Sequence, residues 1–204
     1  MTAMSMRKSA PQSRPLTVDD LEQMPDDGRR YELVDGRLEV TPAPLYPHTV
    51  IADRLLLVLH PQTPRGHNVS AAAGINFNAD RTHHRIPDLC VIPRADRSAA
   101  HLTRPPLLAV EIVSRSTVFT DHHTKRAEYA KFGIESYWII DPNLEEIGIM
   151  ELRLDGDQYR TANQAFGREL FQTDAPFPYR LVPHWLLADC DDWEDHVLGG
   201  EPGR

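Results

Sequence analysis

Glu111 lies inside Leu-Leu-Ala-Val-Glu-Ile-Val (107–113), a run that otherwise has the composition of a buried strand. A carboxylate there is costly unless it is paired, hydrogen-bonded or bound to a cation. Asp88 repeats the anomaly inside Ile-Pro-Asp-Leu-Cys-Val-Ile (86–92). If the two runs are neighbours in one sheet, both carboxylates can project from the same face. Two or three such oxygen donors, completed by water, suit a hard divalent cation, Mg²⁺ or Mn²⁺. The alternative is a buried ion pair with an arginine or with Lys125, or a carboxylate at an exposed strand edge. Lys125 lies four residues after Asp121 and four before Tyr129, so the three share a helix face. A lysine on a helix that follows directly from the Glu111 strand can reach the carboxylates. There it would orient or activate a water and offset charge developing on a phosphate. The same spacing also allows an ordinary surface pair between Lys125 and Asp121.

The elements that must position these groups follow from pattern. Residues 1–15 are polar and aperiodic and read as a disordered tail. Thr17 caps a short helix with an acidic first turn. Two alternating runs, 31–34 and 37–40, flank Asp35-Gly36 and predict a hairpin. Residues 47–60 carry apolar positions at helical spacing, and Pro61 stops them. Strands are expected over 69–77, 86–92, 107–113 and 136–140. A helix is expected over 120–132 with Thr120 as N-cap and Gly133 as C-cap. Further strands around 147–154 and 159–161 form a meander. The residues from 189 to 204 read as an acidic, frayed tail, leaving 16–188 as one domain. This order predicts an α/β (α+β) fold, a mixed-direction sheet flanked by helices.

The chain has 204 residues, a mass of 23.1 kDa, 41% hydrophobic residues and a net charge of −8. That suits one domain with a sizeable core. Net acidity argues against a protein that coats nucleic acid. Residues 81–131, however, carry nine Lys or Arg against five acids, with five of the ten histidines. A locally basic surface in an acidic chain fits an anionic substrate met at one site, although chance clustering gives the same count. The longest strongly apolar run, 55–59, cannot span a bilayer, and the N-terminal stretch has no apolar segment of a secretory signal. Cys90 and Cys190 read as free thiols in a reducing compartment, the cytoplasm.

Taken together, the segments resemble the Uma2 family, a group of restriction-endonuclease-like proteins in the PD-(D/E)XK nuclease superfamily. The resemblance rests on Tyr-Glu-Leu-Val-Asp-Gly-Arg-Leu (31–38), His48 opening the next helix, Pro87-Asp88-Leu-Cys-Val-Ile and Ala-Val-Glu111-Ile-Val-Ser114. It continues through Asp121-x-x-x-Lys125-x-x-x-Tyr129 to Gly133-Ile-Glu135-Ser-Tyr137-Trp138-Ile-Ile-Asp141-Pro142. Each piece is weak alone; the ordered set, over about 16–142, is specific. It implies a restriction-endonuclease-like sheet with metal-binding carboxylates on two adjacent strands. Asp88 matches the Asp of the Pro-Asp motif and Glu111 the acidic residue of the (D/E)XK half. The third position of that half is Val113 rather than lysine, which makes Lys125 the candidate lysine. Glu32 matches a further acidic position, as a fourth catalytic candidate or a hairpin-edge glutamate. Arg115 stands where such chains tend to carry proline.

The resemblance therefore implies a metal-dependent endonuclease that hydrolyses phosphodiester bonds, on DNA in preference to RNA. Asp88 and Glu111, with the Ile112 carbonyl, would hold one or two Mg²⁺ (or Mn²⁺), and Lys125 would position the attacking water. His48, Arg85, Arg115 and Tyr129 are candidate substrate contacts, and His83 and His84 can also line the groove. Cutting both strands of a duplex is easiest for a homodimer, and the apolar pieces 181–182 and 185–187 can serve its interface. The competing reading is a catalytically silent nuclease fold that binds nucleic acid or a protein. A zinc centre lacks ligand spacing, a serine hydrolase lacks its Gly-x-Ser-x-Gly elbow, and a phosphate-binding glycine loop is absent.

Overall fold

Asp35 and Gly36 both take positive φ, 50° and 75°, the turn geometry that Asp-Gly favours between antiparallel strands. The turn joins β1 (Arg30–Val34) to β2 (Arg37–Thr41) in the register expected from the alternation. The computed structural model describes residues 14–114, 120–143 and 145–199. Ahead of the hairpin stands α1 (Val18–Leu21), with Thr17 as its N-cap. After it comes α2 (Tyr46–Leu59), which buries Ile51, Leu55, Val58 and Leu59 on one face.

The strands that follow alternate between two sheets. β3 (His67–Ala71) belongs to one, and the two-residue strands β4 (Ile75–Asn76) and β5 (His84–Arg85) to another. β6 (Leu89–Pro93) then returns to the first. Two expected strands are therefore shorter than their apolar runs. The 69–77 run breaks at Ala72, whose φ is 51° and whose N–H donates to the Asp88 carbonyl over 3.1 Å. The 86–92 run begins as a strand only at Leu89. Pro87 has no N–H for a ladder, and side chains rather than a strand hold Ile86. Asp88 thus sits at the head of β6 and not within it.

β7 (Leu108–Ile112) lies antiparallel to β6, with Leu89 opposite Val110, and parallel to β8 (Ser136–Asp141). A parallel pair needs a crossover, and α3 (Lys125–Phe132) supplies it, ending at Gly133 in the left-handed region (φ 90°). The expected N-cap at Thr120 is not one. Residues Thr120–Thr124 form a wide π turn that runs into α3. β9 (Gly148–Asp155) and β10 (Gln158–Phe166) complete a six-stranded mixed sheet of order β10-β9-β8-β7-β6-β3. The smaller sheet has order β2-β1-β5-β4, and β11 (Phe171–Thr173) pairs with β12 (Tyr179–Leu181).

Alternation along β7 assigns the two faces of the large sheet. Leu108, Val110 and Ile112 join α2 and the C-terminal hairpin in one core, while Ala109 and Val113 join Tyr129 and Ala130 of α3 in the other. Glu111 falls on the α3 face. The segment expected as a tail from 189 carries α4 (Trp193–Val197), whose Trp193 and Val197 belong to the α2-side core. Its acidic count hid two apolar residues at helical spacing. Among the described residues, no helix is long and apolar enough to cross a membrane.

A Cβ at Gly36 would run into Pro15, whose Cα would lie 2.8 Å away, whereas one at Gly156 (φ 65°) would meet open space. Gly156→Ala should cost about 1 kcal/mol from backbone strain alone. Gly36→Ala should cost at least about 2 kcal/mol, strain and overlap together. Urea unfolding of the two variants measures the difference, and equal losses would contradict the packing of Pro15 on the turn.

Candidate active site

The antiparallel register of β6 and β7, carried one step past Leu89 and Val110, sets Asp88 beside Glu111. Both are almost fully buried, with 5% and 2% of their surface exposed. Each is compensated by its own set of donors. Glu111 Oε1 lies 2.8 Å from Lys125 Nζ and accepts a 2.6 Å hydrogen bond from the Tyr129 hydroxyl. Lys125 and Tyr129 are one turn apart on α3, so a single helix face grips one oxygen. The position two after Glu111 is Val113, which packs in the core. The lysine that reaches Glu111 stands on the crossover helix.

Asp88 is held from three directions. Arg30 Nη1 donates to Oδ1 at 2.7 Å, His48 Nε2 lies 3.1 Å from Oδ2, and the Ile112 N–H donates to Oδ2 at 2.8 Å. Burial alone would push the Asp88 carboxyl up. His48, Arg30 and the Ile112 amide more than reverse this, and hold it well below the usual carboxylate range. Asp88 is an anion at any physiological pH.

The approach to Asp88 is set by β1. Arg30 Nη1 also donates to the Ile86 carbonyl (3.1 Å), and Glu32 Oε1 accepts the Ile86 N–H (2.7 Å). Two side chains thus satisfy the backbone groups of Ile86 just before Asp88. Glu32 Oε2 lies 3.1 Å from Arg85 Nη1. Arg85 is completely buried, with Glu128 taking its Nε and Nη2 at 2.7 and 2.8 Å and Glu39 taking Nη1 at 2.5 Å. His83 Nε2 stands 3.4 Å from Glu128. Burial raises the Glu128 carboxyl, but His83 and Arg85 bring it down to about 2.

The residues singled out in the sequence therefore separate into groups. Asp88, Glu111, Lys125 and His48 converge on one end of the sheet, with the Ile112 backbone between the two carboxylates. Tyr129 is expected as a substrate contact, but it is fully buried and stands behind Glu111. Arg85, expected in the same role, has its guanidinium wholly engaged by three carboxylates and no surface to offer. Glu32 is spent on Ile86 and Arg85. His84 is buried with Nδ1 2.7 Å from Asn76 Oδ1; burial and neighbouring His101 push its pKa down to about 4. Arg115 lies outside the described residues, as does the side chain of Asp121. Arg30, Glu39 and Glu128 carry charge in this region without a signal in the sequence. Arg30 and Asp88 are 58 positions apart, and the pairing of β1 with β5 just before Ile86 brings them together.

Among the described residues, no group of three or more His, Cys, Asp and Glu converges as a metal cage. The donor set nevertheless fits a hard divalent cation of the Mg²⁺ type. Such an ion commonly takes one or two carboxylates and fills its shell with carbonyl oxygen, water and substrate phosphate. Asp88 Oδ1, with Arg30 as its donor, is the candidate acceptor on that side.

Removing the Lys125 charge leaves Glu111 buried with less compensation. Lys125→Met should cost on the order of 3 kcal/mol in urea unfolding, and Lys125→Met with Glu111→Gln should recover much of it. No recovery would mean that the pair is not coupled. For Glu128, a depressed carboxyl contributes stability that is complete above its ordinary pKa and is lost as pH falls from about 4.5 toward 2. Unfolding measured across that window should be less acid-sensitive in Glu128→Gln than in the wild type.

Comparisons with known proteins bear on the family and the fold. A family model, Uma2, described as "Putative restriction endonuclease", matches residues 18–182. None of the curated proteins matches the chain. Among solved structures, one described as "a putative nuclease belonging to DUF820", from Anabaena variabilis, superposes with a TM-score of 0.62 at 19% identity. The match covers 79% of this chain and 90% of that one. At that identity the likeness shows a shared mixed α+β fold. The family match spans most of the chain, and the chain belongs to the Uma2 family.

Proposed function

We propose that the protein is a divalent-metal-dependent endonuclease acting on DNA, with Asp88, Glu111 and Lys125 at its centre. The observation that carries this reading is the 2.8 Å pair of Lys125 Nζ and Glu111 Oε1, with Asp88 opposite Glu111 in the continued β6–β7 register. An acid within β7, a second at the head of β6 and a lysine are groups that suit metal-assisted phosphodiester hydrolysis. Asp88, Glu111 and the Ile112 carbonyl would hold Mg²⁺ or Mn²⁺. When bound, the cation supplies positive charge against that developing on the scissile phosphate and the leaving oxygen.

The remaining chemistry belongs to the chain. Tyr129 fixes the rotamer of Glu111. His48 and the Ile112 N–H fix that of Asp88, so both carboxylates are pre-positioned before substrate arrives. Lys125 lies next to the carboxylates with its ammonium buried, where it would hold a water for in-line attack. Cutting both strands of a duplex points to a homodimer. The chain would act in the cytoplasm, where its two thiols remain reduced.

One observation favours the second reading, a silent nuclease fold that only binds. Glu111 and Lys125 are 2% and 5% exposed, and each already has a partner. Supercoiled plasmid with Mg²⁺ or Mn²⁺ separates the two readings. Wild type should nick it only with metal, and Asp88→Ala, Glu111→Ala and Lys125→Ala should each lower the rate by at least about a hundredfold. Nicking that survives all three substitutions would remove this site from the chemistry. A folded wild type that binds duplex without ever nicking it would favour the binding module.

A further inference from the structure

Arg30 is the most solvent-accessible group of the carboxylate site. Its side chain is 26% exposed, against 15% for His48 and 3% for Asp88. It donates to Asp88 Oδ1 and to the Ile86 carbonyl through the same Nη1. Its charge also acts on Glu111 and Glu32. Among the described residues, no other side chain is hydrogen-bonded to Asp88 Oδ1, the oxygen left to a cation once His48 and the Ile112 N–H hold Oδ2. Lys125 and His48 do not stand in the way, since they sit on Glu111 Oε1 and Asp88 Oδ2.

We propose that Arg30 is a placeholder cation that yields Asp88 Oδ1 to the divalent metal and then becomes the site's first contact with a nucleic-acid phosphate. The inference rests on the nuclease reading and names a residue that neither the family motif nor the sequence pattern picks out. An ion pair this buried cannot be left open without cost, so the apo site needs a cation at Asp88. The guanidinium can leave without breaking a strand ladder, because what it gives up are side-chain contacts, to Asp88 Oδ1 and the Ile86 carbonyl. Once displaced, it lies beside a newly positive centre and is repelled toward the mouth of the site. The backbone of DNA or RNA presents the complementary charge there. A planar guanidinium binds phosphate oxygens in pairs, which an ammonium at the same place cannot do.

The placeholder role predicts two effects of opposite sign from one substitution. Arg30→Gln keeps a donor for the Ile86 carbonyl and removes the charge. Mn²⁺ titrated calorimetrically into the full chain should bind about tenfold tighter in Arg30→Gln than in wild type, the scale of one lost charge-assisted hydrogen bond competing for the carboxylate. A labelled DNA duplex, followed by fluorescence anisotropy with Ca²⁺ in place of the catalytic ion, should bind about tenfold more weakly. Its salt dependence should fall by the equivalent of about one phosphate contact. Arg30→Lys should recover part of the duplex affinity while leaving metal affinity near wild type.

Unchanged affinities in Arg30→Gln, or a loss of both together, would overturn the proposal. The second outcome would make Arg30 a structural strut for Asp88, and circular dichroism melting would register it as a lower Tm. A wild type that binds neither Mn²⁺ nor duplex would remove the nuclease reading itself. Wild-type binding with no opposite shifts would remove only the role given to Arg30.

Discussion

Two carboxylates buried side by side at one end of a sheet repel each other and have lost their water. Every element near them contributes to compensating that charge. β1 brings Arg30, α2 brings His48 at its first turn, β7 turns a backbone N–H toward Asp88, and α3 brings Lys125 and Tyr129. The burial of an unpaired charge costs more than any single contact here returns. The site therefore exists only when four separately encoded segments meet. Their arrangement also explains why the small sheet abuts the large one, since Arg30 and Glu32 satisfy the backbone at Ile86 where no strand does.

Much of this was legible in the sequence. Glu111 and Asp88 stood out because a charge inside an apolar run is a local anomaly. Lys125 and Tyr129 stood out because helical spacing is also local. The hairpin at Asp35-Gly36 and the termination of α3 at Gly133 follow from short-range turn chemistry. What could not be read depends on pairing between distant segments. Nothing near Arg30 distinguishes it from Arg29 until β1 meets the Ile86 link. Arg85 and Tyr129 look like substrate contacts when only their types are known, and burial reverses that assignment. The C-terminal helix was hidden for a related reason. Acidic residues outnumber the apolar ones that pack, and only the core shows that Trp193, Val197 and Leu198 have somewhere to go.

The second charge cluster has a different character. Arg85 is surrounded by Glu32, Glu39 and Glu128, drawn from β1, β2 and α3. One guanidinium thus ties the hairpin to the crossover helix. Glu32 belongs to this cluster and to the Ile86 backbone at once, so the placement of Asp88 and the docking of α3 are not independent. β4 and β5 contribute only two residues each to the second sheet, so these polar ties supplement a short ladder.

Lys125 and Tyr129 hold the same oxygen of Glu111 from successive turns of one short helix, which is entered through a wide π turn. The two grips therefore cannot be released one at a time by moving the helix. A small rotation about its axis slackens both, and the reverse rotation restores both. Mechanically this is a latch with two teeth on one bar. Lys125 and Tyr129 thus act on Glu111 together, as two contacts carried by one element.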